Sequence, residues 1–244
     1  MVKLLSDIGN FRKINEDYLD YYVDNMKRIY VIADGMGGHN AGDIASKVAV
    51  ENTINYLNSL PEIIDLEDNL RDAIIDSNIK IHELSKSSDE LNGMGTTITA
   101  SLIKGSDMVV ANVGDSRCYI IKGEEIIKVT KDHSLVQQLV DEGSITEAEA
   151  DSHPNKNIIT RALGTKNSVE IDTYRLKLEG IKRVIMCTDG LSNFIKDEEL
   201  YDIIMNNDNC CEELIELSKS RGGKDNISVI VFEGECRDDR NHSR

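Results

Sequence analysis

Residues 98–129, ITASLIKGSDMVVANVGDSRCYIIKGEEIIKV, decide the class of fold. Short apolar runs occupy 107–113, 117–121 and 125–129, and turn signals that contain glycine separate them at 104–106, 114–116 and 122–124. Apolar runs of this length joined by such turns predict antiparallel strands, here a meander.

The same reading extends outward to the rest of the chain. Further strands are predicted at 17–22 and 28–33, which form a hairpin, and at 169–177, 182–188 and 226–232. Helices are predicted at about 41–58, 66–86, 197–206 and 210–220, with inward faces that include Ile44, Val48, Ile54 and Leu57 in the first and Leu70, Ala73, Ile74, Ile81 and Leu84 in the second. Because helices come in pairs between groups of antiparallel strands, the sequence predicts an α+β fold: a four-layer sandwich of two antiparallel β-sheets flanked by pairs of α-helices.

The polar segment 132–160 interrupts this pattern. It begins with a short helical patch, Ser134 to Glu142, and continues with a capping box in which Thr146 caps and Glu149 reaches back. With only two prolines and no low-complexity stretch to act as a linker, residues 1–244 are expected to form a single domain with a mobile flap at about 132–160.

Charge and cysteine content exclude several classes of function. The formal net charge of −16 argues against a nucleic-acid surface and against binding to anionic membranes. Five cysteines without Cys-x-x-Cys spacing are typical of reduced structural residues, and no arginine stands six positions after any of them, as the phosphate loop of cysteine phosphatases requires. No run approaches the ~18 apolar residues of a membrane span. We therefore expect a cytoplasmic monomer.

Four aspartates stand where apolar runs meet turns, and they are the candidate functional residues: Asp34, Asp115, Asp189 and Asp225. Aspartates at strand ends can converge into an oxygen cage suited to manganese or magnesium. The alternative is that each simply makes a turn, because Asp-Gly and Asp-Asn are common turn dipeptides. The glycines around Asp34 are more numerous than a hairpin needs. A charged segment, Arg12 to Asp17, adds a guanidinium and two further carboxylates; the alternative is a solvated loop.

Taken together, the motifs resemble those of the metal-dependent protein phosphatase (PPM, type-2C) family of serine/threonine phosphatases, in its bacterial branch. The matching pieces occur in the family's order from residue 6 to 231: S6-D-x-G-x-x-R-x-x-N-E-D17, V31-I-A-D-G-M-G-G-H39, G95-T-T, N112-V-G-D-S-R117, D132-H-S134, T160-R-A-L-G164, C187-T-D-G-L191 and G222-G-x-D-N-I227. The resemblance implies one phosphatase catalytic domain that hydrolyses phosphoserine and phosphothreonine in proteins, opposing a cognate protein kinase.

The resemblance also implies a site that holds two Mn²⁺ or Mg²⁺ ions. Asp34 would bridge both; Asp189 and Asp225 would bind the first; the backbone carbonyl of Gly35 with Glu16 and Asp17 would serve the second. Asp115, together with Asp189, would match a third, weaker metal position. A water shared by the two cations would attack phosphorus without a phosphoenzyme, and Arg12 would bind the phosphoryl oxygens.

Two points depart from the family or stay open at this stage. Met36 stands where animal-type members place a histidine as general acid; His39 is the available substitute, with a surface or supporting role and a water on a cation as alternatives. Arg161 and the Asp132-His133-Ser134 piece either shape access to the site or make salt bridges and turns. A pseudophosphatase or a plain acidic cation-binding protein are the rival functions, but the matched carboxylates and Arg12 are all present.

Overall fold

Two antiparallel sheets form the centre of the molecule in the computed structural model, which describes residues 1–37 and 41–234. The first sheet has the order β1 (Val2–Asp7), β11 (Ile227–Glu233), β10 (Ile181–Cys187), β7 (Arg117–Lys122), β8 (Glu125–Lys128). The second has the order β2 (Asp17–Val23), β3 (Arg28–Met36), β5 (Ile98–Lys104), β6 (Asp107–Val113), β9 (Asp172–Lys177), with the short β4 (Gly95–Thr96) beside β3.

Helices cover the outer face of each sheet. The pair α1 (Gly42–Ser59) and α2 (Leu66–Ser85) lies on the second sheet; α5 (Asp189–Ser192), α6 (Asp197–Asn206) and α7 (Cys210–Ser220) lie on the first. Two short helices, α3 (Leu135–Asp141) and α4 (Glu147–Asp151), belong to the segment between β8 and β9. The predicted α+β fold of four layers is confirmed.

Strict alternation along the strands builds three apolar layers. In β3, Ile29, Val31 and Ala33 pack against α1 and α2, whereas Tyr30 and Ile32 face the space between the sheets. Strand β11 alternates in the same way across the other sheet, and the ring of its Phe232 stacks on that of Tyr30 with centroids 3.7 Å apart. Because the alternation continues along β3, the residue after Ala33 lies on the same face of the strand as Tyr30 and Ile32.

Several sequence predictions are wrong in detail. Strands β6 and β7 do not pair as a meander: the chain crosses between the sheets at residues 114–116, so that β6 pairs with β9 and β7 with β10. Ile44 is 40% exposed and Leu84 is 36% exposed, because α1 turns its small residues Ala45 and Ala49 towards the sheet and α2 ends its buried face at Ile81 and Ser85. The predicted strand at 169–177 begins only at Asp172.

The polar segment has the predicted local structure. Ser134 caps α3, since its hydroxyl oxygen accepts the backbone N–H of Gln137, and Thr146 and Glu149 form the capping box of α4. In the described part of the chain no helix is both long and apolar enough to span a membrane.

Candidate active site

Asp34 lies at the polar end of the inter-sheet layer. It follows Tyr30 and Ile32 on the same face of β3, and it is inside the strand, which continues to Met36, rather than in the turn that the sequence predicted. Asp17 of β2 is its direct cross-strand partner. Thr97 supports Asp34: the Thr97 hydroxyl accepts the Asp34 N–H at 2.9 Å, and the Thr97 N–H donates to the Asp34 carbonyl at 2.9 Å.

Asp189 and Asp225 enter from the other sheet. Asp189 is the first residue of α5, directly after β10, and Asp225 precedes β11. The two segments touch at Gly190, where a Cβ atom would lie 1.9 Å from the Asn226 carbonyl oxygen. Only glycine permits this approach, which brings the carboxylates of two neighbouring strands to the same end of the sheet.

These side chains surround one cavity of about 240 Å³, which we call the carboxylate cavity. Its walls bring together residues that are up to 213 positions apart in sequence, as the hydrogen bond between Arg12 and Asp225 shows. The lining includes predicted site residues and others that the sequence did not single out: Arg12, Glu16, Asp34, Gly35, Met36, Gly37, Thr97, Asp115, Asn157, Ile159, Asp189 and Asp225.

Asp17 stands behind this cavity rather than in its lining. It is 6% exposed, and its Oδ2 accepts hydrogen bonds from the hydroxyls of Thr188 at 2.9 Å and Ser228 at 2.6 Å. Its Oδ1 has no hydrogen-bond partner. One oxygen of Asp17 is thus fixed by the first sheet while the other stays available.

Glu16 faces the cavity and is held by the start of α1. The Gly42 backbone N–H donates to the Glu16 carboxylate, which opposes the rise in the Glu16 pKa that burial causes. Gly35 lies between the backbones of Glu16 and Gly42. A Cβ atom at Gly35 would stand 2.0 Å from the Gly42 carbonyl oxygen and 2.6 Å from the Glu16 carbonyl oxygen. Gly35 therefore allows β2, β3 and α1 to meet at the cavity.

Arg12 is the basic residue in the lining of the carboxylate cavity. Its Nη2 donates to Asp225 Oδ2 at 2.8 Å, and its Nη1 lies 3.6 Å from Glu16 Oε2. The hydrogen bond to Asp225 raises the pKa of Arg12. The side chain remains 46% exposed, so that part of the guanidinium is open to an incoming anion.

The buried carboxylates repel one another. Burial raises the pKa of Asp34 well above its ordinary value, and the charges of Asp17 and Asp189 raise it further. Burial, assisted by neighbouring carboxylates, raises the pKa of Asp17 to about 7 and that of Asp189 to about 6. For Asp189, the charge of Asp225 adds to the effect of burial, and the charge of Arg117 opposes it. Bound cations are the ordinary means of offsetting such repulsion.

The donor set therefore suits hard divalent cations. All of its members are oxygen ligands, and Asp17 Oδ1 and Asp189 Oδ1 are buried without a partner. Within residues 1–37 and 41–234, no three His, Cys, Asp or Glu side chains yet form a closed group that could hold one ion. In the structure Asp225 accepts a hydrogen bond from Arg12 instead.

Asp115 lies in the crossover between the sheets and lines the carboxylate cavity from the side of Asp189. It is 8% exposed, and burial followed by the charges of Asp189 and Asp132 raises its pKa well above the ordinary value. Next to it, the Ser116 hydroxyl is 2.8 Å from that of Thr97, which ties the crossover to β3.

A network of ion pairs anchors the flap. Arg161 Nη1 donates to Asp172 Oδ1 at 2.8 Å, and Arg161 Nη2 lies 2.8 Å from Glu170 Oε2. His133 Nδ1 accepts the Gly114 N–H at 3.1 Å, and His133 Nε2 lies 3.2 Å from Asp172 Oδ2 and 3.1 Å from Arg161 Nη1. Burial lowers the pKa of His133. Ion pairing of Arg161 and His133 is therefore observed, and a role in shaping access to the site stays a prediction.

Comparison with known proteins identifies the family. A family model described as Protein phosphatase 2C matches residues 12–218. The chain belongs to the protein phosphatase 2C family. One relative, Serine/threonine phosphatase stp from Listeria welshimeri, is 37% identical over 235 residues, which cover 93% of each chain.

Solved structures of bacterial phosphatases share the whole fold. Serine/threonine phosphatase Stp1 from Staphylococcus aureus has a TM-score of 0.90 at 33% identity, over 96% of this chain and 95% of that one. The catalytic domain of the serine/threonine phosphatase PstP, in complex with two manganese ions, has a TM-score of 0.83 at 34% identity, over 95% of this chain and 96% of that one.

For this member of the protein phosphatase 2C family, sequence reasoning missed the residues that support the carboxylates. Thr188 and Ser228 hold Asp17, and Asn193 Nδ2 donates to Asp189 Oδ2 at 3.0 Å. The position of Thr188 beside Asp189 in the Cys-Thr-Asp-Gly motif was the one sequence signal that could have indicated its supporting role. Asn157 lines the cavity from the flap and had no signal of its own. The candidate general acid His39 lies outside the described residues.

Proposed function

We propose that this chain hydrolyses phosphoserine and phosphothreonine esters of proteins in its carboxylate cavity, with two Mn²⁺ or Mg²⁺ ions bound there. One observation carries the proposal: Asp34, Asp189 and Arg12 line the same cavity. A site for a phosphate ester needs both a guanidinium for the anion and cations to offset the carboxylates. The relatives named serine/threonine phosphatases support the substrate class.

The chain offers a ligand for each cation. We assign Asp34 to both ions, Asp189 and Asp225 to the first, and Glu16 with the Gly35 carbonyl to the second, with Asp17 supporting from behind. Asp115 and Asp189 would hold a third, weaker ion. When bound, two divalent cations would lower the pKa of a water towards ~7 and offset negative charge at the ester, so that no phosphoenzyme is required.

Arg12 would bind and orient the phosphoryl group. In the structure one of its N–H groups engages Asp225, and the planar guanidinium has further donors that suit phosphate oxygens. If Asp225 held a cation, the Arg12 N–H that it accepts in the structure would also be available to a phosphate oxygen.

The proton for the departing serine or threonine oxygen has no assigned donor among the described residues. Met36, which lines the cavity, has no proton to give. His39 follows three residues later and stays the candidate general acid, with a water as the alternative. Reversal of a cognate serine/threonine protein kinase, a monomeric state and a cytoplasmic location likewise stay predictions.

The test is release of phosphate from a phosphothreonine peptide by the purified chain, with Mn²⁺ and with a chelator. We expect multiple turnovers with Mn²⁺, none with the chelator, and recovery when Mn²⁺ is restored. Mn²⁺ binding without turnover would indicate a pseudophosphatase or a plain cation-binding protein, and would overturn the proposal.

A further inference from the structure

A second cavity of about 290 Å³ adjoins the carboxylate cavity. The two share Asp115 and Asp189 as a common wall. We call the second one the flap cavity, because α3 and α4 of the flap form one side of it and the start of α6 forms another. A peptide whose phosphorylated residue occupies the first cavity therefore has the flap cavity within reach of a neighbouring side chain.

The lining of the flap cavity is divided by chemistry. Val136, Val140 and Ala150 supply aliphatic surface from the two flap helices, and all three are half-buried. Glu147, Asp151 and Asp197 supply carboxylates. Within the part of the chain that the structure describes, no ion pair or hydrogen bond involves the side chains of these three acids. Their charges are available to a ligand.

Two of the three basic side chains at the same cavity pair with Asp132, which also lines it. Arg117 Nε and Nη2 both donate to Asp132 Oδ2, at 2.9 and 2.7 Å, and Lys128 Nζ lies 3.8 Å from Asp132 Oδ1. Lys156 also lines the cavity, yet acidic residues in the lining are twice as many as basic ones. The cavity thus retains a negative bias.

Asp197 lies among charges of both signs. Burial raises its pKa, the charges of Arg117 and Lys128 lower it, and the negative charges of Glu198 and Asp151 raise it again. Asp151 at the end of α4 and Asp197 at the start of α6 line the same cavity, so a positive group that enters it would be attracted to both.

We propose that the flap cavity binds a lysine or arginine side chain of the phosphoprotein, close in sequence to the phosphorylated residue. The aliphatic stem of such a side chain would pack on Val136, Val140 and Ala150, and its charged end would meet Asp151 and Asp197. An aliphatic side chain would leave the carboxylates without a partner, and an acidic one would be repelled by them. The inference rests on the proposed function and specifies its substrate class.

The experiment compares phosphothreonine peptides that differ in one charge. In the reference peptide, norleucine occupies the three positions before the phosphothreonine and the three positions after it. In each test peptide, a single lysine replaces one of these norleucines. We expect kcat/KM to rise about fivefold, the upper range for an exposed ion pair, at one or two of these positions, because Asp151 and Asp197 are exposed. The advantage should shrink as ionic strength increases.

Two variants of α6 make the matched comparison. Asp197→Asn should remove most of the lysine advantage, whereas Asp202→Asn, the same change at an exposed site on the same helix that does not line the cavity, should keep it. The ratio of the two peptides' kcat/KM values does not depend on how much enzyme is folded or metal-loaded. Asp197→Lys should reverse the preference, so that a glutamate peptide becomes the better substrate.

Equal kcat/KM for lysine and norleucine peptides at every position would overturn the inference, as would a lysine advantage that Asp197→Asn leaves intact. Both results require that the wild-type chain hydrolyses the peptides. Failure of the proposed function would look different: no peptide would be hydrolysed at all in the presence of Mn²⁺.

Discussion

Asp17 is a carboxylate whose burial costs stability. It is buried between the sheets with one oxygen unpartnered, and burial raises its pKa to about 7 in the folded state against an ordinary value of 3.8. A group with a raised folded pKa contributes stability below its unfolded pKa, and that stability is lost as pH rises through the folded value. In metal-free protein the cost of Asp17 is therefore absent near pH 4 and complete above pH 7.

We therefore predict that Asp17→Asn stabilises the metal-free protein at pH 8, on the order of a few kcal/mol, and much less at pH 5. The same variant should lose phosphatase activity, because Mn²⁺ affinity falls. Thermal unfolding in chelator at the two pH values measures the first effect. Asp20→Asn, an exposed change on the same strand, should alter neither. A lower Tm for Asp17→Asn at pH 8 would contradict the prediction.

Arg12 should act on the phosphoryl group rather than on the fold. Replacing it with alanine removes hydrogen bonds to a charged partner, each about 1.5–3 kcal/mol, so kcat/KM should fall about tenfold to a hundredfold. Lysine should restore only part of the loss, because it lacks the planar fork. Lys13→Ala, an exposed neighbour, serves as the control. If Arg12→Ala keeps wild-type kcat/KM on phosphothreonine peptides, Arg12 does not bind phosphate.

At the scale of elements, β2, β3 and α1 meet at Gly35. A methyl group there would stand 2.0 Å from the Gly42 carbonyl oxygen, whereas one at Gly37 would meet its nearest atom, Met94 Cα, at 3.4 Å. We predict that Gly35→Ala lowers the free energy of unfolding by about 1–3 kcal/mol and weakens Mn²⁺ binding, since α1 and Glu16 must move.

Gly37→Ala tests the steric explanation, because it adds the same methyl group two residues away at ordinary contact distance. Denaturant unfolding and Mn²⁺ titration of both variants would decide. Equal effects of the two substitutions would show that close approach at Gly35 is not what shapes the site.

Strand pairing shows where sequence information ends. Most elements were predictable, because turns and apolar periods are local, but β1 and β4 were not predicted. The crossover at Gly114-Asp115-Ser116 was not predictable, because its sequence resembles a hairpin turn. The strands that pair with β6 and β7 beside the crossover are β9 and β10, which come much later in the chain. The prediction that Ile44 lies on the inward face of α1 was wrong for a related reason. Helix α1 packs on its sheet through Ala45 and Ala49, so small residues, and not the largest apolar ones, form the buried face there.

The motifs in the sequence indicated part of the candidate site. Asp34, Asp189 and Asp225 were found from their turns and from family resemblance, although Asp34 proved to be inside a strand. Thr188 and Ser228, which donate hydrogen bonds to Asp17, are 171 and 211 positions away from it in sequence. No local sequence pattern predicts contacts at such separations. Long-range hydrogen bonds between two sheets needed the folded molecule.

For the whole molecule, cations should couple the two sheets. Asp34 belongs to one sheet, and Asp189 and Asp225 flank strands of the other, so an ion that they share binds only the folded state. At a hundredfold excess over Kd such binding adds about 2.7 kcal/mol, a rise of about 5–10 °C in Tm for a chain of this size. Differential scanning calorimetry with Mn²⁺ and with chelator measures it. An unchanged Tm at saturating Mn²⁺ would contradict a shared site.

The most direct measurement is the phosphatase activity of Asp34→Asn in Mn²⁺, on a phosphothreonine peptide, beside its circular dichroism in chelator. Asparagine preserves the shape of Asp34 but removes the charge that faces both proposed cation positions. We predict a native spectrum, a loss of about a thousandfold or more in kcat, and Mn²⁺ binding reduced below two ions per chain. A folded Asp34→Asn protein with kcat within tenfold of wild type would contradict a hydrolytic site built on Asp34.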